Sequence, residues 1–285
     1  MPYLLVRNPS SGAGADELPT RAGRELDDVQ EVELDPNVDL GKEIAAALDE
    51  RRTVLACGGD GTVNAVAQHL AGTEGIMAVL PAGTLNHFAR DLGIEDADTA
   101  FAAIAHGRPA DVDVGLAGKR VFVNTLGFGV YPELVRERET LEDSLGKWPA
   151  LARSVGRIVT SFEPLEGRIS ADGRPRRLQA SAVFVGNNRF SNAPGSIGRR
   201  DRLNEGVLDV RVVRTHLGIT GRARPGRRAA RSRPHRIVGT TATTLEIRLR
   251  EPRLMAIDGE QEGDRRSVDV SSRRGALHVL VPPAP

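Results

Sequence analysis

The sequence predicts an α/β domain followed by a β-rich, sandwich-like domain, and three observations support this prediction. Over about the first 110 residues, short apolar runs alternate with segments of helical spacing. Beyond that point, apolar runs separated by turn residues dominate, which is typical of antiparallel β-structure. Three of the early apolar runs also end in loops of Gly, Pro, Ser, Thr and Asn. We therefore predict one domain over residues 1–112 and a second over residues 113–285.

Four strands are expected in the first domain, at residues 3–6, 29–34, 53–57 and 76–80. Helical spacing follows the second strand, where Leu40, Ile44 and Leu48 share one face, and follows the third over residues 62–70. Alternating β and α elements predict a parallel sheet that is covered on both faces. Because ligands of such sheets bind beyond the carboxyl ends of the strands, we expect the loops there to meet in one cleft.

The second domain is expected to form a sandwich or a rolled sheet. Its expected strands are the apolar runs at residues 121–125, 167–170, 180–185, 207–213, 244–249, 254–257 and 277–281. A helical stretch over about residues 144–162 interrupts them. The last of these runs is compatible with pairing in either domain.

Residues 58–66, GGDGTVNAV, follow the third apolar run directly and predict a tight turn that leads into a helix. Glycines let the backbone approach a ligand closely, and the free amides at a helix start favour anions. Such a turn suits phosphate, but Asp60 has the wrong charge to contact phosphate itself. We expect Asp60 to hold a hydrated Mg²⁺ that the phosphates share. The alternative is an ordinary glycine-rich turn of an α/β domain.

The composition excludes several classes of protein. Hydrophobic residues make up 40% and charged residues 27% of the chain, as in ordinary globular proteins. The net charge of +1 gives no general attraction for nucleic acid, and the one cysteine, Cys57, is expected in the core and cannot form an intrachain disulfide. We find no transmembrane segment and no signal peptide. We expect a cytoplasmic protein whose contact with lipid is peripheral, at the inner face of the membrane.

Residues 222–236 form an arginine-rich segment with seven arginines, no acidic residue and no aromatic residue. Without aromatic side chains for base stacking, nucleic acid is not expected as a partner. Anionic lipid is the better candidate, because each basic residue near such a surface contributes about 1 kcal/mol. A solvated loop is the alternative.

Taken in order, the motifs resemble those of the diacylglycerol kinase catalytic-domain family, specifically the soluble bacterial lipid kinases that are also similar to sphingosine and ceramide kinases. The first half carries NPSSG (8–12), GGDGTVN (58–64) and PAGTLNHFA (81–89), which resemble the family's nucleotide loops. The second half carries VFVGNN (183–188), EGVLDV (205–210) and DGE (258–260) in the family's order. The resemblance covers nearly the whole chain.

This resemblance implies an N-terminal domain of the NAD-kinase or phosphofructokinase type, with ATP and the lipid headgroup meeting in a cleft between the two domains. It implies that Asp60 organises the catalytic Mg²⁺, that Glu260 is the general base and that Asp113 is its acidic companion. The residues that it implies for contact with ATP are Asn8, Pro9, Ser10, Ser11, Gly12, Gly58, Gly59, Asp60, Gly61, Thr62, Val63, Asn64 and Thr84.

A second, structural Mg²⁺ is also implied, held at the loop of Arg202, Glu205 and Val207 with the carbonyls of Arg202 and Val207 as ligands. Three positions depart from the family pattern. Glu205 stands where Asp is usual and is one methylene longer, His87 replaces an Asp, and Ala13 replaces a frequent Lys.

We therefore expect an ATP-dependent and Mg²⁺-dependent kinase that phosphorylates a hydroxyl of diacylglycerol or a related lipid at a membrane surface. A carboxylate such as Glu260 can accept the proton of the alcohol as the new bond forms. The alternatives are an NAD kinase, which shares the GGDG loop, and a catalytically silent regulator that binds a nucleotide or a lipid. A homodimer is the default expectation for the assembly.

Overall fold

The computed structural model describes residues 2–9, 16–129, 164–191, 199–214 and 236–283. The helix expected at residues 144–162, most of the arginine-rich segment, and the positions Ser10, Ser11, Gly12 and Ala13 lie outside the described residues. Within the described parts, the helices are α1 (Glu17–Glu25), α2 (Leu40–Asp49), α3 (Asp60–Leu70), α4 (His87–Asp91) and α5 (Ala97–His106). None of these helices has the length and apolarity needed to cross a membrane.

The strands of the described parts all join one hydrogen-bonded network. They are β1 (Tyr3–Arg7), β2 (Val29–Glu33), β3 (Thr53–Gly58), β4 (Ile76–Pro81), β5 (Arg108–Ala117), β6 (Arg120–Phe122), β7 (Thr125–Gly129), β8 (Leu165–Ala171), β9 (Arg174–Ala180), β10 (Ala182–Asn187), β11 (Leu208–Arg214), β12 (Arg236–Ala242), β13 (Thr244–Ile257) and β14 (Glu260–Val281). The main path through the network has the order β12-β11-β10-β7-β13-β14-β4-β3-β1-β2.

The N-terminal part is a parallel sheet, as predicted. Strand β1 lies between β2 and β3, and β3 pairs with β4, all in parallel. Every residue of β3 is buried, as expected for a strand with a layer on each face. The remaining pairs of the network, except β14 with β4, are antiparallel. An α/β N-terminal part and a strand-rich C-terminal part are thus confirmed.

Strand β14 connects the two parts. Its first half pairs with β13, and near its end His278 and Val279 pair in parallel with Ile76 and Met77 of β4. Strand β5 lies antiparallel along β14 over most of its own length. The last apolar run of the sequence therefore returns to the N-terminal sheet, while the boundary between residues 112 and 113 stays a prediction.

Most of the buried apolar side chains of the described residues form two hydrophobic clusters. One surrounds the parallel strands and includes Leu5, Leu55 and Cys57, and the other packs between the antiparallel strands and includes Phe128 and Ile247. Burial raises the pKa of the Cys57 thiol to about 12, so this cysteine has the structural role expected of it.

Two predicted strand limits are wrong. The run at residues 121–125 is divided between β6 and β7, because the amides of Val123, Asn124 and Thr125 donate to the carboxylate of Asp258 rather than to a neighbouring strand. The runs at residues 244–249 and 254–257 belong to the single strand β13, whose register with β14 shifts between them. Charged residues in the middle of β13 interrupt its apolar pattern, so the sequence predicted two strands instead of one.

Candidate functional site

Three loops meet at the carboxyl ends of the adjacent parallel strands β1, β3 and β4. The Asn8 amide, after β1, donates to the Cys57 carbonyl at 3.3 Å, and the Ala82 amide, after β4, donates to the Gly58 carbonyl at 3.0 Å. A Cβ atom added at Gly83 would lie 2.4 Å from the Cα of Gly59, so only glycines allow this approach. The predicted convergence of these loops is therefore present in the fold.

The turn after β3 leads directly into α3, whose first residue is Asp60 and whose N-cap is Gly59. The first amides of a helix have no acceptor within it, so they are available to a ligand at this edge. Thr62 and Val63 are buried in the helix, whereas Thr84 on the neighbouring loop is exposed. Backbone amides of the turn, together with the side chain of Asp60, are thus the groups available at this edge.

The carboxylate of Asp60 is held by three donors. The amides of His87 and Phe88, at the start of α4, and the side-chain amide of Asn124 each donate to it at 3.1 Å. His87, a departure from the family pattern, takes part through its backbone. Because a carboxylate can accept about four hydrogen bonds, one acceptor position of Asp60 remains for a water molecule of a hydrated Mg²⁺. The residue therefore fits the indirect metal contact expected of it.

Glu260 lies over the start of α3. A Cβ atom added at Gly61 would be 2.7 Å from Oε1 of Glu260, so a side chain at position 61 would displace this carboxylate. Asp60 is the first residue of α3, so Asp60 and Glu260, which are 200 residues apart in the sequence, both lie at the start of this helix.

The electrostatic surroundings of Glu260 tune its acidity. Partial removal from solvent raises the pKa of Glu260 above its ordinary value, the positive charge of Arg120 opposes this rise, and the negative charge of Glu262 adds to it. Arg120 and Glu262 are themselves paired at 2.7 Å. A carboxyl with a raised pKa is a stronger base once ionised, which suits proton acceptance.

Asp258, two residues before Glu260, accepts four hydrogen bonds. Its donors are Asn64 Nδ2 and the amides of Val123, Asn124 and Thr125, at 2.7–2.8 Å. Burial raises the pKa of Asp258 to about 6, and the four donors oppose that rise. All acceptor positions of this carboxylate are in use, so Asp258 anchors the site rather than binding a ligand.

A buried ion pair supports Asn124 from behind. Oδ1 of Asn124 accepts from Arg200 at 2.7 Å, and Arg200 pairs with Asp91 at 2.6 Å with both side chains almost fully buried. Sequence reasoning missed Asp258, Asn124, Arg200 and Asp91 as members of the site. The hydrogen-bond partners of these four residues are distant in the sequence, so local patterns could not identify them. The one available signal was the Asp-Gly turn at the end of a strand, which contains Asp258.

Asp113 lies within β5, not at its end, and is completely buried. Its carboxylate accepts from the amides of Gly206 and Gly275, and in the described parts of the chain no hydrogen bond joins it to Asp60 or Glu260. These contacts connect β5 to the loop before β11 and to β14. A catalytic role for Asp113 stays a prediction.

The residues expected to hold a structural Mg²⁺ have other partners. The carboxylate of Glu205 accepts from the Arg189 amide and lies 3.7 Å from its guanidinium, and the Val207 carbonyl accepts from Asn188. A guanidinium beside Glu205 does not fit a second cation there. The described residues also contain no cluster of three or more His, Cys, Asp or Glu side chains that could hold a metal. We derive no step from a structural metal.

We expect Asp258→Asn to lower the free energy of unfolding by about 2–4 kcal/mol, because an amide leaves buried donors unpaired. Urea denaturation at neutral pH measures this change. Asp264→Asn, on an exposed part of β14, is the matched control and should be nearly neutral. Equal stability of the two variants would contradict the anchoring role of Asp258.

Comparisons with known proteins identify relatives of this chain. A family model described as the diacylglycerol kinase catalytic domain matches residues 2–117. Diacylglycerol kinase of Bacillus subtilis (strain 168) is 28% identical over 83% of this chain and 80% of its own length. A protein of Pseudomonas aeruginosa (strain UCBPP-PA14) named "Probable lipid kinase YegS-like" is 31% identical over 81% of this chain and 76% of its own length.

A crystal structure of a diacylglycerol kinase from Bacillus anthracis str. Sterne has the same fold, with a TM-score of 0.71 at 23% identity over 99% of this chain and 97% of that one. The described residues of the first-half motifs lie at or next to the sheet edge described above. This chain belongs to the diacylglycerol kinase catalytic-domain family.

Proposed function

We propose that this protein is an ATP-dependent lipid kinase that transfers the γ-phosphoryl group of ATP to a hydroxyl of diacylglycerol or a related lipid. One observation carries the proposal: a phosphate-compatible helix start bears Asp60 and has the carboxylate of Glu260 directly above it. The names of the relatives from Bacillus and Pseudomonas support a lipid as the acceptor. A membrane surface as the source of the lipid, a cytoplasmic location and a homodimer belong to the same proposal.

The loops at the sheet edge bind and orient the nucleotide. Amides of the Gly58–Gly61 turn and the positive end of α3 attract the phosphates, and the loops at Asn8 and Thr84 border the same edge. The amides at the start of α4 and the Asn124 side chain fix the Asp60 carboxylate, which would hold Mg²⁺ through a water molecule. Mg²⁺, when bound, neutralises charge that develops on the transferred phosphoryl group.

Glu260 acts on the lipid hydroxyl. An alcohol is too weak an acid to ionise first, so the carboxylate accepts its proton as the oxygen attacks phosphorus and the bond to ADP breaks. Asp258 holds the turn that carries Glu260, and its four hydrogen bonds keep that turn against Asn64 and the break between β6 and β7. These hydrogen bonds of the Asp258 side chain support a fixed position for the proposed base.

Incubation with γ-labelled ATP tests the proposal directly. Diacylglycerol, sphingosine, ceramide, undecaprenol and NAD are supplied in separate reactions, and the labelled product is identified. A labelled lipid supports the proposal. Label on NAD alone would assign an NAD kinase, and nucleotide binding without transfer to any acceptor would assign a silent regulator.

We expect Glu260→Gln to lower turnover by about 10²–10⁴-fold with little change in ATP affinity, because the glutamine cannot accept the proton. Steady-state kinetics and nucleotide titration measure the two effects. Glu251→Gln, an exposed position of β13, is the control and should leave turnover unchanged. Near-normal turnover of Glu260→Gln would remove Glu260 from the role of base.

The pH profile should report the raised pKa of Glu260. Since the base must be ionised, kcat/KM should fall as the pH drops through that pKa. This fall is the acid limb of the profile, and its midpoint should lie above the ordinary pKa of a glutamate. Glu262→Gln removes a negative neighbour and should move the limb to lower pH. Arg120→Gln removes a positive neighbour and should move it to higher pH. Shifts in the same direction would show that another group controls the limb.

We expect Asp60→Ala to lower turnover on the order of 10²-fold and to raise the Mg²⁺ concentration needed for half-maximal turnover, because the water ligand loses its acceptor. A Mg²⁺ titration at saturating ATP measures both effects. Asp27→Ala, in the exposed turn before β2, is the control. If the Mg²⁺ titration of Asp60→Ala matched that of the wild type, the metal assignment would be wrong.

A further inference from the structure

Three arginines lie side by side across neighbouring strands, far from the kinase site in sequence. Arg248 of β13 is directly opposite Arg168 of β8, and Arg168 is directly opposite Arg177 of β9. All three are exposed, and we call them the arginine row. Like charges directly opposite each other in an antiparallel sheet are destabilising. The fold therefore tolerates a repulsion that bound anions would relieve.

The arginine row is only partly neutralised by the protein itself. Arg248 is paired with Asp269, and the nearby Arg250 is paired with Glu166 at 3.1 Å. Within the described parts of the chain, Arg168 and Arg177 have no ion pair and no side-chain hydrogen bond. Two cations in direct register are thus left for an outside partner.

A groove of about 480 Å³ borders the arginine row. It is lined by Arg168, Arg176, Arg177, Arg250, Glu166 and Pro175, together with a glycine. The single carboxylate among these residues is already paired with Arg250, and the lining has no aromatic side chain. Proteins that bind single-stranded nucleic acid without sequence preference use aromatic stacking as well as charge. This groove offers charge alone, so it suits the phosphate groups of lipid headgroups better than it suits nucleic acid.

The arginine row stands on a fixed part of the fold. Leu245, Ile247 and Leu249 alternate with the charged residues of β13 and are buried in the second core cluster. The same strand continues to Ile257, directly before the turn that bears Glu260.

We propose that the arginine row and its groove dock the protein on an anionic lipid bilayer. This inference rests on the lipid-kinase function proposed above, since the acceptor would then be taken from that bilayer. Docking would place the protein where its acceptor is concentrated, and it would depend on ionic strength because exposed charges are screened by salt.

Vesicle co-sedimentation tests the proposal on the full chain. The wild type should bind vesicles of phosphatidylcholine with phosphatidylglycerol and should bind vesicles of phosphatidylcholine alone much less. Arg168→Gln with Arg177→Gln should weaken binding to the anionic vesicles roughly tenfold to thirtyfold, as expected for two lost charges near such a surface. The matched control, Arg24→Gln with Arg108→Gln, removes two exposed charges of the N-terminal part and should bind like the wild type.

Equal binding of the two double variants, equal binding to neutral and anionic vesicles, or no vesicle binding by the wild type would overturn the proposal. The proposal would also be overturned if the wild type bound single-stranded oligonucleotides but no vesicles, and if Arg168→Gln with Arg177→Gln lost that oligonucleotide binding. The arginine row would then be assigned to nucleic acid.

Arg168→Lys with Arg177→Lys keeps the charge and should keep vesicle binding, which separates loss of charge from loss of folding. Thermal melting of the glutamine variant should be no lower than that of the wild type, because a repulsion has been removed.

Turnover on a short-chain diacylglycerol dissolved in buffer distinguishes this inference from the proposed function. The glutamine double variant should match the wild type on that substrate and fall behind it on long-chain diacylglycerol in anionic vesicles. Failure of every form to phosphorylate any lipid would reject the kinase proposal, while the vesicle-binding result would still decide the docking surface.

Discussion

The fourfold hydrogen-bonded carboxylate of Asp258 is the contact on which the site depends. Its donors come from α3 and from the break between β6 and β7, so one side chain connects three separate stretches of the chain. Buried donors left without acceptors are costly, and this cost keeps the strand break open. The break in turn exposes the Asn124 side chain to Asp60. The position of Glu260 follows from the same turn.

The polar groups behind the cleft extend this arrangement into the interior. Arg200 satisfies the Asn124 side chain and the carbonyls of Val123 and Asn187, while Asp91 balances its charge. Removing one member of a buried pair leaves an uncompensated charge, so these residues stabilise one geometry more than they stabilise the fold. Conformational precision of this kind suits phosphoryl transfer, in which positioning supplies most of the catalysis.

Local sequence was enough to predict the parallel strands, the glycine turn and the loops at the sheet edge, because each depends on neighbouring residues. The meeting of Asp60 with Glu260 came from the order of the motifs and their family resemblance. Asp258 was beyond such reasoning, since all four of its donors lie more than 130 residues away. Strand β9 was missed because three of its seven residues are arginine and only Leu178 and Ala180 are buried.

The long strand β14 has a consequence for how the protein is made. His278 and Val279 supply the neighbour of β4, so the parallel sheet stays one strand short until about 200 residues beyond β4 have been synthesised. During translation, the edge of β4 is open to wrong partners, a hazard typical of unpaired strand edges. Completion of the parallel sheet therefore waits for a strand that is distant in the sequence.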